Sequence, residues 1–216
     1  MKILWHKEAQ GFIRITTIED QPLLVTYLDD KLAKGYSGYR LILKDLHVVK
    51  QALDSLEQIR NATASIVKQS LSFYAIVTYA KCFTQADGRG IKLDKSSALS
   101  KCSNPEKIEH DRIMDQRHNY VAHGGLAGYE HNPLVVTLNP NLNDKKIINI
   151  HDNVMGLVDI DSQLDNFQLL TDSVIEFVNN KCETLSKTIE KNIREMDLDE
   201  LYEKAIDPSS QTLIDM

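Results

Sequence analysis

The chain has 216 residues, 42% hydrophobic and 26% charged, with a formal net charge of -6. That length and composition support a real core, and 9 Gly with 5 Pro exclude collagen-like and low-complexity classes. Three cysteines, Cys82, Cys102 and Cys182, are too few and too widely spaced for a disulfide framework, a zinc ribbon or a C-x-x-C redox pair. They are expected to be reduced thiols in a cytoplasmic protein. The N-terminal MKILWHKEAQ lacks the sustained apolar core of a secretory signal. No stretch approaches about 18 uninterrupted apolar residues, so no membrane span is expected. The charge is unevenly placed. Residues 195–216 carry seven acids and one Lys, the remainder is neutral, and residues 31–117 hold 15 bases against 9 acids. A basic middle beside an acidic end is compatible with a nucleic-acid partner without demanding one.

In chain order, the first 35 residues give weak signals. Phe12, Ile13 and Ile15 suggest a strand, and Leu23 to Leu32 looks helical. From Tyr39 to Arg60, Ile42, Leu46, Val49, Leu53 and Leu56 recur at steps of three and four, the stripe of an amphipathic helix. Residues 62–83 are apolar nearly all round, which suits a central helix or an interface. Residues 84–102 are turn-rich. Ser103 and Glu106 have capping-box spacing, with Pro105 in the first turn. The helix they open should run to about Ala122, before Gly124-Gly125. Val135, Val136 and Leu138, then Ile147, Ile148 and Ile150, flank an Asn-rich turn and predict a β-hairpin over about 134–150. A long helix should fill roughly 162–194, striped by Phe167, Leu170, Val174, Val178, Cys182, Leu185, Ile189 and Ile193 at near-heptad spacing. The predicted fold class is all-α, a bundle of four to six helices with one small hairpin. It makes a single domain over 1–194, followed by an acidic tail or short helix over 195–216.

Walker loops, G-x-G-x-x-G, H-E-x-x-H, G-x-S-x-G and EF-hand motifs are all missing from the sequence. The chemistry-bearing residues concentrate in Glu109–Gly125, EHDRIMDQRHNYVAHGG. On a regular helix His110, Met114, Arg117 and Val121 share one face, which puts Arg117 on a stripe that should be buried. A buried guanidinium needs an anion, either a carboxylate from a neighbouring helix or a phosphate. His123 closes the helix, where the dipole favours the protonated imidazole, a group suited to exchanging protons near neutral pH.

The run Arg117-His118-Asn119-Tyr120-Val121-Ala122-His123 resembles the signature of the HEPN superfamily. In that signature Arg and His, separated by four to six residues, end a helix of an α-helical bundle, and a polar residue follows the Arg. The upstream Tyr79-Ala80-Lys81-Cys82-Phe83 and the loop Gly88-Arg89-Gly90 are similar to one branch of it, and the likeness covers roughly residues 40–190. Arg40 with His47 and Arg112 with His118 also fit the bare spacing. Arg117 with His123 is preferred for the Ala before the His and the helix-ending Gly-Gly. The resemblance implies a metal-independent endoribonuclease with no cofactor, typically a homodimer lining one cleft with two Arg-His pairs. His123 would move the proton and Arg117 would hold the scissile phosphate. His118 and Asn119 would support them, and the product would end in a 2',3'-cyclic phosphate. It also implies a toxin or defence effector, with an antitoxin or defence-system protein as partner. Gly125 stands where the branch paired with nucleotidyltransferase antitoxins has Tyr, so that pairing is not carried over. Arg89, Lys92 and Arg112 are candidate RNA-backbone contacts.

Two other readings compete. HEPN-like chains also serve as non-catalytic dimerisation or binding modules. Alternatively, the doublet His110-Asp111, joined by His47 and Asp161 or Asp165, offers the residue types of a metal-dependent HD-type phosphohydrolase.

Overall fold

A computed structural model of the chain describes residues 3–7, 13–17, 23–61, 66–85, 90–121, 134–152 and 163–205. The elements in order are strands β1 (Ile3–Lys7) and β2 (Ile13–Thr17), then helices α1 (Lys31–Gln58), α2 (Ile66–Phe83), α3 (Lys95–Ala98) and α4 (Asn104–Gln116). A π-helical turn follows at Arg117–Val121. Strands β3 (Leu134–Leu138) and β4 (Ile147–Asp152) and helices α5 (Leu164–Glu195) and α6 (Leu198–Glu203) complete the chain. The fold is all-α with small β-hairpins. The chain divides into two compact units, Ser37–Glu183 and Met1–Tyr36 with Thr184–Met216, and α1 and α5 each contribute residues to both.

In the unit Ser37–Glu183 the expected stripe of α1 is the buried one. Ile42, Leu46, Val49, Leu53 and Leu56 are fully buried. α5 answers with Phe167, Leu170, Val174 and Val178, and α2 with Ala75, Ile76, Tyr79 and Ala80. Tyr79 meets Phe167 edge-on, with ring centroids 5.5 Å apart. Burying side chains of this size contributes roughly 1.5–3 kcal/mol each. α2 is not apolar to its neighbours all round, as its composition suggested. Val67, Tyr74 and Val77 form an exposed stripe, and Ile66 is 74% exposed. Its buried side mixes the small Ser72, Ala75 and Ala80 with the bulky Ile76, Tyr79 and Phe83.

The capping box of α4 is present and reaches beyond its own helix. Glu106 Oε2 accepts from the Ser103 backbone N–H at 2.8 Å and from its hydroxyl at 2.6 Å. Glu106 Oε1 accepts from the Ser173 hydroxyl on α5. Partial burial works to raise the Glu106 pKa, but these hydrogen bonds outweigh it and hold the carboxyl below its ordinary value. The hairpin β3–β4 is antiparallel, pairing Val136 with Ile150 and slipping register between Thr137 and Leu138. Its turn is held by Asn side chains. Asn139 Oδ1 accepts from the Asn141 N–H and Asn141 Oδ1 from the Asn143 N–H, each an Asx turn.

In the second unit the N-terminal strand signal belongs to a full hairpin, β1 pairing β2 from Ile3↔Thr17 to Lys7↔Ile13. The expected helix over 23–32 is absent: residues 23–30 are non-helical and α1 opens at Lys31. Asp30 is the reason. Its side chain accepts from the Ala33 N–H at 2.8 Å, an N-cap geometry that starts a helix after it. The stripe of α5 continues as half-buried Leu185, Ile189 and Ile193. Asp197 caps α6, accepting from the Asp199 N–H at 2.9 Å. The expected tail beyond residue 205 lies outside the described residues.

Glu106→Ala removes the cap and the tie to Ser173 together. Its unfolding free energy should fall by about 1–2 kcal/mol, read as a lower urea midpoint with an unchanged slope.

Candidate functional site

The site region is built on α4 and its continuation. Residues Glu109, His110, Ile113 and Gln116 are the buried face of α4. Only one of these four is a hydrocarbon, so each of the others needs a partner inside.

His110 finds its partner on α2, where its Nδ1 and the Tyr79 hydroxyl share a hydrogen bond of 3.0 Å. The His110 ring also lies 4.6 Å from Phe83, edge to face. Burial, reinforced by Lys95 and opposed by Asp111, pushes the His110 pKa down to about 4. The imidazole is therefore neutral at pH 7. Burial likewise raises the Tyr79 pKa well above its ordinary value, so the pair is uncharged.

Glu109 and Gln116 find theirs in Arg112. Arg112 Nε donates to Glu109 Oε2 at 2.8 Å, and Nη2 donates to Glu109 Oε1. Arg112 Nη1 donates to Gln116 Oε1 at 2.7 Å. Glu109 is 2% exposed and Gln116 4%. This is a forked, largely desolvated ion pair extended by an amide, the arrangement in which an arginine is strongest.

At Arg117 the helix changes from α to π and continues so to Val121. The Arg117 N–H is shared between the carbonyls of Ile113 and Met114. The π turn packs against α2. A π turn takes more than 3.6 residues, so the backbone leaves the regular α-helical register over Arg117–Val121. Arg117, expected on the buried face, is half-buried. Among the described residues no carboxylate or carbonyl pairs with its guanidinium.

The other sequence candidates fall as follows. His118 is exposed and Asn119 half-buried, and Asn119 Nδ2 donates to Asp115 Oδ1 at 2.5 Å. Lys92 is exposed. Arg112, a candidate RNA contact, is committed to Glu109 and Gln116. His123 and Arg89 lie outside the described residues. The structure therefore places Arg117, His118 and Asn119 on one turn and shows Arg112 facing its own helix partners. Among the described residues the HD-type constellation does not converge, and Asp161 lies outside them. His110 turns inward to Tyr79, while Asp111 is exposed and bonded to Lys95 at 2.5 Å. His47 is exposed, and Asp165 is paired with Arg60 at 2.5 Å. Among the described residues no three His, Cys, Asp or Glu side chains cluster as metal ligands would. No described helix is long and apolar enough to cross a membrane. Cys82, Cys102 and Cys182 are buried free thiols.

The pairing Glu109–Arg112–Gln116 was missed by the sequence reading, which took Arg112 as an exposed base. Its signal was present as acid, base and amide at spacings of three and four. Such spacing normally marks a solvated helix face, and burial alone distinguishes this one.

No family model, curated protein or solved structure matches the chain.

The buried neutral His110 predicts a specific pH dependence. The unfolded histidine binds a proton below about pH 6.5, whereas the folded one resists until about 4. Its contribution is fully present above pH 6.5 and is lost as the pH falls toward 4. The unfolding free energy of the wild type, measured against His110→Gln, should lose roughly 3 kcal/mol across that window. A difference independent of pH would show that His110 titrates alike in both states.

Proposed function

We propose that this chain is a metal-independent endoribonuclease of the HEPN kind, with Arg117 and His123 as its catalytic residues. The observation that carries the reading is the state of Arg117. The residue is half-buried on a π turn that packs against α2, and no protein anion is paired to its guanidinium among the described residues. π turns inside helices recur at functional sites. A planar guanidinium in that setting suits the two non-bridging oxygens of a phosphodiester.

The chemistry needs little more. RNA carries its own nucleophile, the 2'-hydroxyl. A base removes its proton, the 2'-oxygen attacks phosphorus, and the P–O5' bond breaks as an acid protonates the leaving oxygen. The products are a 2',3'-cyclic phosphate and a 5'-hydroxyl. Arg117 stabilises the extra negative charge on the phosphoryl oxygens as it develops. His123, with five residues between it and Arg117, exchanges the proton. His118 and Asn119 follow Arg117 on the same turn and would support it, and Lys92 would offer a backbone phosphate contact. In this reading two copies pair to line one cleft, and the cellular role is that of a cytoplasmic toxin or defence effector, held in check by an antitoxin or another defence-system protein.

A second reading has an observation in its favour. The exposed stripe Val67, Tyr74 and Val77 on α2 and the exposed Val136, Leu138, Ile147 and Ile150 of the hairpin suit a non-catalytic binding or dimerisation module.

Cleavage of mixed RNA in excess EDTA separates the two. Wild type should cut and leave cyclic-phosphate ends. Arg117→Ala should lose activity by about 10²–10³-fold, the loss expected for a phosphate-stabilising donor, and His123→Ala should be similarly impaired. Arg117→Lys keeps the charge without the fork and should fall between. Absence of cleavage across several RNA types would leave the binding-module reading in its place.

A further inference from the structure

The π turn that carries Arg117 begins at the residue immediately after a side-chain clamp. Arg112 reaches back three residues to Glu109 with two N–H donors and forward four residues to Gln116 with a third. The three side chains thus bridge residues 109 to 116, two turns of α4. Gln116 is the last α-helical residue and Arg117 the first of the π turn. Such a bridge on a solvated surface would contribute little. Here Glu109 and Gln116 are 2% and 4% exposed. Releasing Arg112 would leave a carboxylate and an amide oxygen unpaired in the interior, so the bridge strongly resists rearrangement.

A π turn has poorer hydrogen-bond geometry than the α-helix it interrupts, and it persists only where its surroundings hold it. Two things hold this one: packing against α2 and the fixed last turn of α4. The clamp sets the α register as far as Gln116, and the change of register then falls at Arg117. Moving that junction by one residue would turn Arg117 by roughly 10–20° about the helix axis, which shifts a guanidinium at the end of its long side chain by an ångström or more.

We infer that Glu109, Arg112 and Gln116 are positioning residues for Arg117. Through backbone register alone they set where its guanidinium stands, and none of them touches substrate. For its catalytic consequence this inference rests on the ribonuclease reading; for its structural consequence it stands apart from it.

The test uses the full chain and the variants Gln116→Met and Gln116→Glu. Methionine keeps the volume and removes the acceptor for Arg112. Glutamate offers Arg112 an acceptor oxygen whether ionised or protonated. Amide hydrogen exchange is read at Arg117–Val121, with Tyr79 and Ala80 of α2 as an internal reference, and RNA cleavage is measured in EDTA on the same samples. In Gln116→Met, exchange across Arg117–Val121 should quicken about tenfold and kcat fall about tenfold, a misplacement-sized loss, while Tyr79 and Ala80 stay protected. Gln116→Glu should restore both. Should Gln116→Met fail to fold, Arg112→Lys takes its place, because a point charge meets Glu109 without forking to Gln116. Unchanged exchange and unchanged kcat in the loosened variant would overturn the inference. So would a Gln116→Glu protein as impaired as Gln116→Met, since the amide N–H, not the acceptor, would then be what matters. If the wild type cuts no RNA yet exchange at Arg117–Val121 responds and is rescued as described, the ribonuclease reading fails and the positioning role stands.

Discussion

A helix that buries polar side chains must satisfy each of them inside, and α4 buries three. The cost of leaving a carboxylate, an imidazole or an amide unpaired in the core is comparable to the stability of a small domain. The partners are therefore not optional. Tyr79 on α2 takes His110, and Arg112 takes both Glu109 and Gln116. The first pairing ties α4 to α2 in the middle of an aromatic cluster that Phe83 and Phe167 complete. The second stiffens α4 along its own length. Together they leave α4 little freedom to rotate or to slide.

That rigidity gives the π turn its meaning. The chain enters it from a helix held at Gln116, and the turn itself rests on α2. Two arginines five residues apart on one helix end in opposite states. Arg112 spends its fork on its own helix, while Arg117 is half-buried without a protein anion among the described residues. The contrast follows from the neighbours along the helix. Arg112 has Glu109 at i−3 and Gln116 at i+4, whereas the residues three and four away from Arg117 are Ile113, Met114, Tyr120 and Val121, none of which carries a carboxylate or an amide. A buried ion pair and an arginine without a protein anion among the described residues thus stand within two turns of each other. The neutral Tyr79–His110 pair keeps further charge out of the interior next to them.

Elsewhere, local punctuation proved the most legible. Ser103, Pro105 and Glu106 announced the start of α4, and Glu106 takes that role with a second bond to Ser173. The Asn-rich turn announced the hairpin, and its side chains make the expected Asx turns. Reading was poorer where a cap acts inside an apolar run. Leu23 to Leu32 has helical composition, yet Asp30 caps the helix that follows it. It was poorer again where composition is uniform. The apolar surface of α2 gave no hint that Val67, Tyr74 and Val77 would face outward.

The candidate site shows the same division more sharply. The residue types and spacing from Arg117 to His123 were visible in the amino-acid order, because a motif is a pattern along the chain. The buried face of α4 was not visible. Hydrophobic periodicity finds a core-facing stripe only when that stripe is hydrophobic, and Glu109, His110 and Gln116 are polar. Nor does a sequence record where an α-helix becomes a π turn, since the same residues fit both and tertiary contacts choose between them. Periodicity and capping thus marked α1, α4, α5 and the β3–β4 hairpin from local chemistry alone. Which face of α4 turns inward, and hence that the Glu109–Arg112–Gln116 pairing is buried rather than solvated, was decided only by packing, because burial depends on partners such as Tyr79 far away in the chain.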